Sequence, residues 1–114
     1  TIQGSDCIAT SDIRSKINFE PILNALDKVC QLSGQTYDHL EKQGDRAVGH
    51  IAQEVEKVLP EAIYDVEDER LGIKKVISTT AIPALHTEAI KELKAKNDAL
   101  EARIARLEEL LTNG

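Results

Sequence analysis

The chain has 114 residues and a formal net charge of −6, from 14 basic and 20 acidic side chains, and its aromatic residues are Phe19, Tyr37 and Tyr64. That length holds one small domain, and the acidic balance lacks the clustered basic face that a nucleic-acid surface needs. No apolar run approaches the ~18 residues of a membrane span, and no charged-then-apolar leader opens the chain, so neither a membrane segment nor a secretory signal is expected.

An opening Thr1 without methionine suggests a fragment or a processed product. Cys7 and Cys30 have no metal-ligand spacing and no nearby histidine, so reduced thiols are expected and no metal or other cofactor is implied. From Glu88 onward the chain is built almost wholly from Ala, Leu, Ile, Glu, Lys and Arg, the composition of an extended helix. If that helix protrudes, the remainder is a marginal core with few aromatic residues, and self-association is the expected remedy.

In chain order, residues 1–20 lack helical periodicity and read as loop with short extended pieces. Pro21 stands where a helix can start; Ile22, Leu26, Val29 and Leu32 then form a stripe at helical spacing that Ser33-Gly34 ends. Gln35 to His39 reads as a short strand around Tyr37, followed by a turn signal at Gln43-Gly44-Asp45. Ile51, Val55, Val58 and Leu59 share one face of a second short helix, which Pro60 stops. Residues 62–66 and 72–77 flank the charged stretch Glu67-Asp68-Glu69-Arg70 and predict a β-hairpin.

Thr80 is a candidate N-cap for the final helix, placing Pro83 in the first turn, where a missing N–H breaks no intrahelical bond. His86, Ile90, Leu93, Asn97, Leu100, Ile104, Leu107 and Leu111 follow one another at alternating spacings, an a/d heptad register. In it Lys96 and Arg103 fall at g and Glu101 and Glu108 at the e positions five residues on, so parallel chains gain opposite charges between g and e′. The pattern alone leaves dimer and trimer open. Asn97 at an a position fixes register, or contributes to a buried ion site. His86 reads as a packed or solvated residue before a metal ligand.

Three blocks, in order, carry a resemblance. Ser11-Asp12-Ile13-Arg14-Ser15-Lys16 resembles the Ser-Asp-x-Arg-Leu-Lys signature that opens the intramolecular chaperone auto-processing domain of phage tailspikes, tail fibres and neck appendages. Gly49-His50-Ile51-Ala52-Gln53-Glu54-Val55, running on to Leu59-Pro60-Glu61-Ala62, is similar to that family's central block. Glu88-Ala89-Ile90-Lys91-Glu92-Leu93 resembles the start of its C-terminal helix.

The resemblance implies an α+β core of short helices and hairpins over residues 11–79, and a heptad helix over 80–114 forming a parallel trimeric coiled coil. Residues 1–10 would then be the end of an upstream fibre segment. It further implies a homotrimer that registers the upstream fibre or spike of its own polypeptide in the host cytoplasm during virion assembly. The domain is then released by autoproteolysis. A related domain serves in the myelin regulatory factor; the phage-like central block favours a fibre or spike.

By the same resemblance the cut falls between Thr10 and Ser11, with Ser11 as nucleophile and Lys16 as general base, a single-turnover serine peptidase. Asp12 would orient the dyad or cap a turn, and Arg14 would supply a cation that favours neutral lysine. A spacing of five aligns poorly on a strand or a helix, so Ser11 and Lys16 meet only if the segment turns back or if Lys16 comes from a neighbouring chain. Two positions depart from the family pattern: Ser15 replaces the usual leucine, and Lys74-Lys75-Val76 replaces an Asp-Tyr pair. The first bears on cleavage, and the alternative function is a non-catalytic trimerisation tip retained on the fibre.

Overall fold

A computed structural model describes residues 11–113, which form a mixed α+β unit. A 3-10 turn at Ile13–Ser15 is followed by helix α1 (Ala25–Val29), strands β1 (Gln35–His39) and β2 (Lys42–Gly49), and helix α2 (Ala52–Val58). A second 3-10 turn, Pro60–Ala62, leads into strands β3 (Ile63–Asp68) and β4 (Gly72–Ile77), and helix α3 runs from Ala81 to Asn113. The strands make two separate antiparallel ribbons, β1–β2 and β3–β4. Thr10 and Cys7 lie outside the described residues; Cys30 is a free, exposed thiol.

The second ribbon follows the predicted hairpin, with Ile63 opposite Ile77 and Asp68 opposite Gly72. Its turn is tighter than expected: Glu67 and Asp68 are strand, and Asp68 Oδ1 accepts the N–H groups of Arg70 and Leu71 at 2.9 and 3.0 Å. Gly72 opens β4 at φ 80°, a left-handed conformation that glycine adopts without steric cost. Lys75, from the pair that departs from the family pattern, donates to Glu56 on α2 at 3.0 Å and to Asp65 at 3.1 Å, which raises its pKa.

The first ribbon corrects the sequence reading. Leu40 and Glu41 make the turn, and Gln43-Gly44-Asp45 lies inside β2. Pairing slips from Tyr37↔Ala47 to His39↔Lys42, and the extra β2 residues bulge around Gly44 at φ 94°. The turn expected at Gln43-Gly44-Asp45 is thus a bulge within β2, and the chain reverses before it. Arg46 holds the strands together beyond the bulge, donating to Asp38 and to Thr36 Oγ1.

Helix α1 is shorter than its apolar stripe. Pro21 does not start it; Asn24 adopts a left-handed φ of 55°, and regular helix runs only from Ala25. Ile22, Leu26, Val29 and Leu32 nevertheless all pack on the core, so the stripe marks the inward face without marking helix.

The core is small, as composition suggests: Ala25, Val55, Leu59, Ala62, Leu85 and Ala89 are buried, and only Leu85 and Val55 among them are large and fully enclosed. α3 begins immediately after Thr80 and closes this core with Ile82, Leu85 and Ala89, a stripe one position out of step with the heptads. At ~1.5 Å per residue its 33 residues span about 50 Å.

The heptad side chains form a second face. Ile90, Leu93, Leu100, Ile104, Leu107 and Leu111 are 52–84% exposed in the single chain, and His86 and Asn97 are exposed as well. Beyond Glu92, α3 leaves its own core and presents an unpartnered apolar stripe on a helix otherwise dressed with charge.

Candidate active site

The segment 11–16 contains no buried residue, so its shape comes from hydrogen bonds rather than packing. Asp12 is the N-cap of the first 3-10 turn. Its Oδ1 accepts the N–H of Arg14 at 2.8 Å, the local side-chain bond for which aspartate is favoured at turns. The backbone then reverses: Ser15 donates N–H to the Asp12 carbonyl at 3.1 Å, and Lys16 donates N–H to the Ile13 carbonyl at 3.2 Å.

That reversal brings Lys16 Nζ to 2.9 Å from Ser11 Oγ within one chain. Of the two routes left open by a spacing of five, this chain takes the turn. A lysine ammonium donates in that contact; once deprotonated, the same amine is placed to accept the hydroxyl proton. Both residues are exposed in the single chain.

Asp12 and Arg14 engage each other further. Arg14 Nε donates to Asp12 Oδ1 at 3.1 Å and Nη2 donates to Oδ2 at 2.8 Å, a forked pair. The guanidinium and the Arg14 backbone N–H together hold the Asp12 carboxyl below its ordinary pKa, and the carboxylate in turn raises that of Arg14. The Arg14 guanidinium thus has its charge matched by Asp12, and Asp12 serves as the turn's cap.

Two residues given no structural role from the sequence help to shape the site and its support. Ser15 Oγ donates to the Asp12 carbonyl at 2.8 Å, the same oxygen that accepts the Ser15 N–H. Glu92, read only as part of the helix block, reaches from α3 to the start of α1. Its Oε2 accepts the Ala25 N–H at 2.8 Å and its Oε1 accepts the Leu26 N–H at 3.0 Å. These bonds supply the cap that Asn24 does not make, and they lower the pKa of Glu92. The Ser15 contact was signalled by its departure from the family pattern; the Glu92 contact had no local signal.

Among the described residues no group of three or more His, Cys, Asp or Glu is placed to hold a metal ion, and no helix is long and apolar enough to cross a membrane. The His50 and His86 rings approach edge to face, with centroids 6.4 Å apart, where the central block meets α3.

A family model described as Chaperone of endosialidase matches residues 11–64, from the nucleophile candidate to the start of β3. The Long tail fiber protein Gp37 of Enterobacteria phage K3 is 44% identical over 98 residues, which cover 82% of this chain and 8% of that protein. Gp37 of Enterobacteria phage T2 is also 44% identical over 98 residues, covering 82% of this chain and 7% of its own length. Gp37 of Enterobacteria phage Ox2 is 43% identical over 95 residues, covering 78% of this chain and 38% of that protein. The chain therefore spans only a small part of these relatives. By the match that begins at Ser11 and by these tail-fibre relatives, the chain belongs to the chaperone of endosialidase family, as a phage tail-fibre intramolecular chaperone domain.

Proposed function

We propose that this domain trimerises through α3, holds the upstream fibre chains of its own polypeptide in register while they fold, and then removes itself by cutting between Thr10 and Ser11. The observation that carries the catalytic half is the 2.9 Å approach of Lys16 Nζ to Ser11 Oγ. The exposed heptad stripe, which has no partner among the described residues, supports the assembly half. In this reading residues 11–79 are the processing core and residues 80–114 the assembly helix.

The reaction begins when neutral Lys16 takes the Ser11 hydroxyl proton and Oγ attacks the Thr10 carbonyl carbon. The C–N bond breaks as the Ser11 nitrogen leaves with a proton, and an ester joins the Thr10 acyl group to Oγ. Water then attacks the ester, restoring the hydroxyl and leaving the Thr10 carboxylate on the upstream chain. Backbone N–H groups are the expected stabilisers of the tetrahedral oxyanion. Each chain turns over once.

A lysine serves as base only when uncharged, and desolvation favours that form. Ser11 and Lys16 are exposed in the single chain, and in this reading a neighbouring protomer supplies the covering surface. This ties the cut to assembly. Registration by the trimer meets the cost of bringing distant fibre strands together before their contacts form, and removal of the domain afterwards makes unfolding hard to reverse.

Intact-mass measurement tests the reading: the parent should lose residues 1–10, whereas Ser11→Ala and Lys16→Ala should keep them. Equal loss in all three would exclude Ser11 as the nucleophile. A second reading, a non-catalytic trimerisation tip that stays on the fibre, draws on the exposure of both dyad groups. It requires the 12.6 kDa mass to persist through long incubation of the assembled parent.

A further inference from the structure

The turn that joins Ser11 to Lys16 is held by few bonds, and one of them belongs to a side chain without an assigned role. Ser15 Oγ donates to the Asp12 carbonyl at 2.8 Å, on the oxygen that also takes the Ser15 N–H at 3.1 Å. Asp12 is itself fixed at its other end, where the carboxylate accepts the Arg14 N–H and the Arg14 guanidinium. Asp12 is thus gripped at its carbonyl by Ser15 and at its carboxylate by Arg14. It directly follows the nucleophile, and Ser15 directly precedes the base.

We propose that Ser15 is a positioning residue for self-cleavage: its hydroxyl, by holding the Asp12 carbonyl, sets the reversal that brings Lys16 to Ser11. This rests on the dyad reading above and deepens it. The physical case is that hydrogen bonds, not packing, fix the turn, and that Ser15 doubles the bond on the Asp12 carbonyl. No residue from Ser11 to Lys16 is buried, so no core packing defines the path between the two dyad members. Without the hydroxyl, the Asp12 carbonyl keeps one weak 3-10 bond, of the poorer geometry typical of that helix.

With the hydroxyl, two donors from one residue meet on one oxygen, which restricts the backbone at Ser15 and the direction in which Lys16 leaves the turn. A reaction that needs hydrogen-bond reach between two groups is sensitive to that restriction. A leucine at this position would make no such bond, having no hydroxyl to donate.

The test is the first-order rate at which the full chain loses residues 1–10, followed by intact mass, for the parent, Ser15→Ala, Ser15→Thr and Ser11→Ala. Oligomeric state and thermal midpoint are recorded alongside for each. Loss of one solvent-accessible neutral hydrogen bond corresponds to about a 2–10-fold slower cut in Ser15→Ala. Ser15→Thr keeps a hydroxyl at the same atom position and should recover most of the parent rate. The thermal midpoint and oligomeric state should not change across the set, because Ser15 touches no core residue.

Cleavage of Ser15→Ala at the parent rate, or equal slowing of the alanine and threonine variants, overturns the positioning role while leaving the dyad standing if Ser11→Ala stays uncut. Cleavage of Ser11→Ala at the parent rate, or a parent that never loses residues 1–10, removes the dyad and this role with it.

Discussion

The Glu92 carboxylate binds the backbone N–H of Ala25 at 2.8 Å across 67 positions of sequence, and binds that of Leu26 with its other oxygen. One face of α3 therefore closes its own core and caps α1, while the next face carries the unpartnered heptads. Glu92→Gln keeps one acceptor oxygen but loses the charge and the paired contact. The expected result is a lower thermal midpoint with unchanged helix content beyond residue 96, read by calorimetry and circular dichroism.

The same contact sets an acid dependence. The two N–H groups hold the Glu92 carboxyl below its ordinary pKa, so the native state is favoured over the unfolded chain when the group is ionised. The contribution is complete above the unfolded value of about 4.3 and is lost as pH falls through the lower native value. From about pH 5 toward pH 3 the parent midpoint should fall more steeply than that of Glu92→Gln; parallel curves would show that Glu92 does not contribute.

Much of this arrangement is legible in sequence, and each exception has its own physical cause. The β3–β4 hairpin, α2 with its Pro60 stop, and the start of α3 after Thr80 all follow local periodicity and local chemistry. β2 was missed because a two-stranded ribbon exposed on both faces shows no alternation, and its bulge at Gly44 reads as a turn. Helix α1 was overextended because its start is fixed by Asn24 in a left-handed conformation and by Glu92 from another helix. The Ser11–Lys16 approach could be posed as a requirement for a turn, yet the Ser15 bond that shapes the turn lies in a departure from the pattern.

Leu85 is one of two large side chains fully enclosed in the core. Leu85→Ala should cost about 2–5 kcal/mol, a large share of the ~5–15 kcal/mol typical of a whole domain. Denaturant unfolding should show a marked loss of midpoint. A shift under about 1 kcal/mol would mean that the core collapses around the cavity or that assembly carries most of the stability.

Leu100 and Ile104 are more than half exposed and lie beyond the part of α3 that meets the core. If α3 assembles through the heptads as proposed, replacing both by lysine puts like charges against one another and should abolish trimer formation. Truncation from Glu88 is a poorer test, since it also removes Ala89 and Glu92. Light scattering should report a trimer for the parent and a monomer for Leu100→Lys/Ile104→Lys. A trimer in the double variant would move the interface elsewhere.

The most direct measurement is the N-terminal residue and mass of the assembled parent after incubation, beside Ser11→Ala treated identically. The parent should yield a product that begins at Ser11, and the variant should remain a chain beginning at Thr1. A cut at any other bond, or the same cut in both chains, would contradict self-cleavage by Ser11.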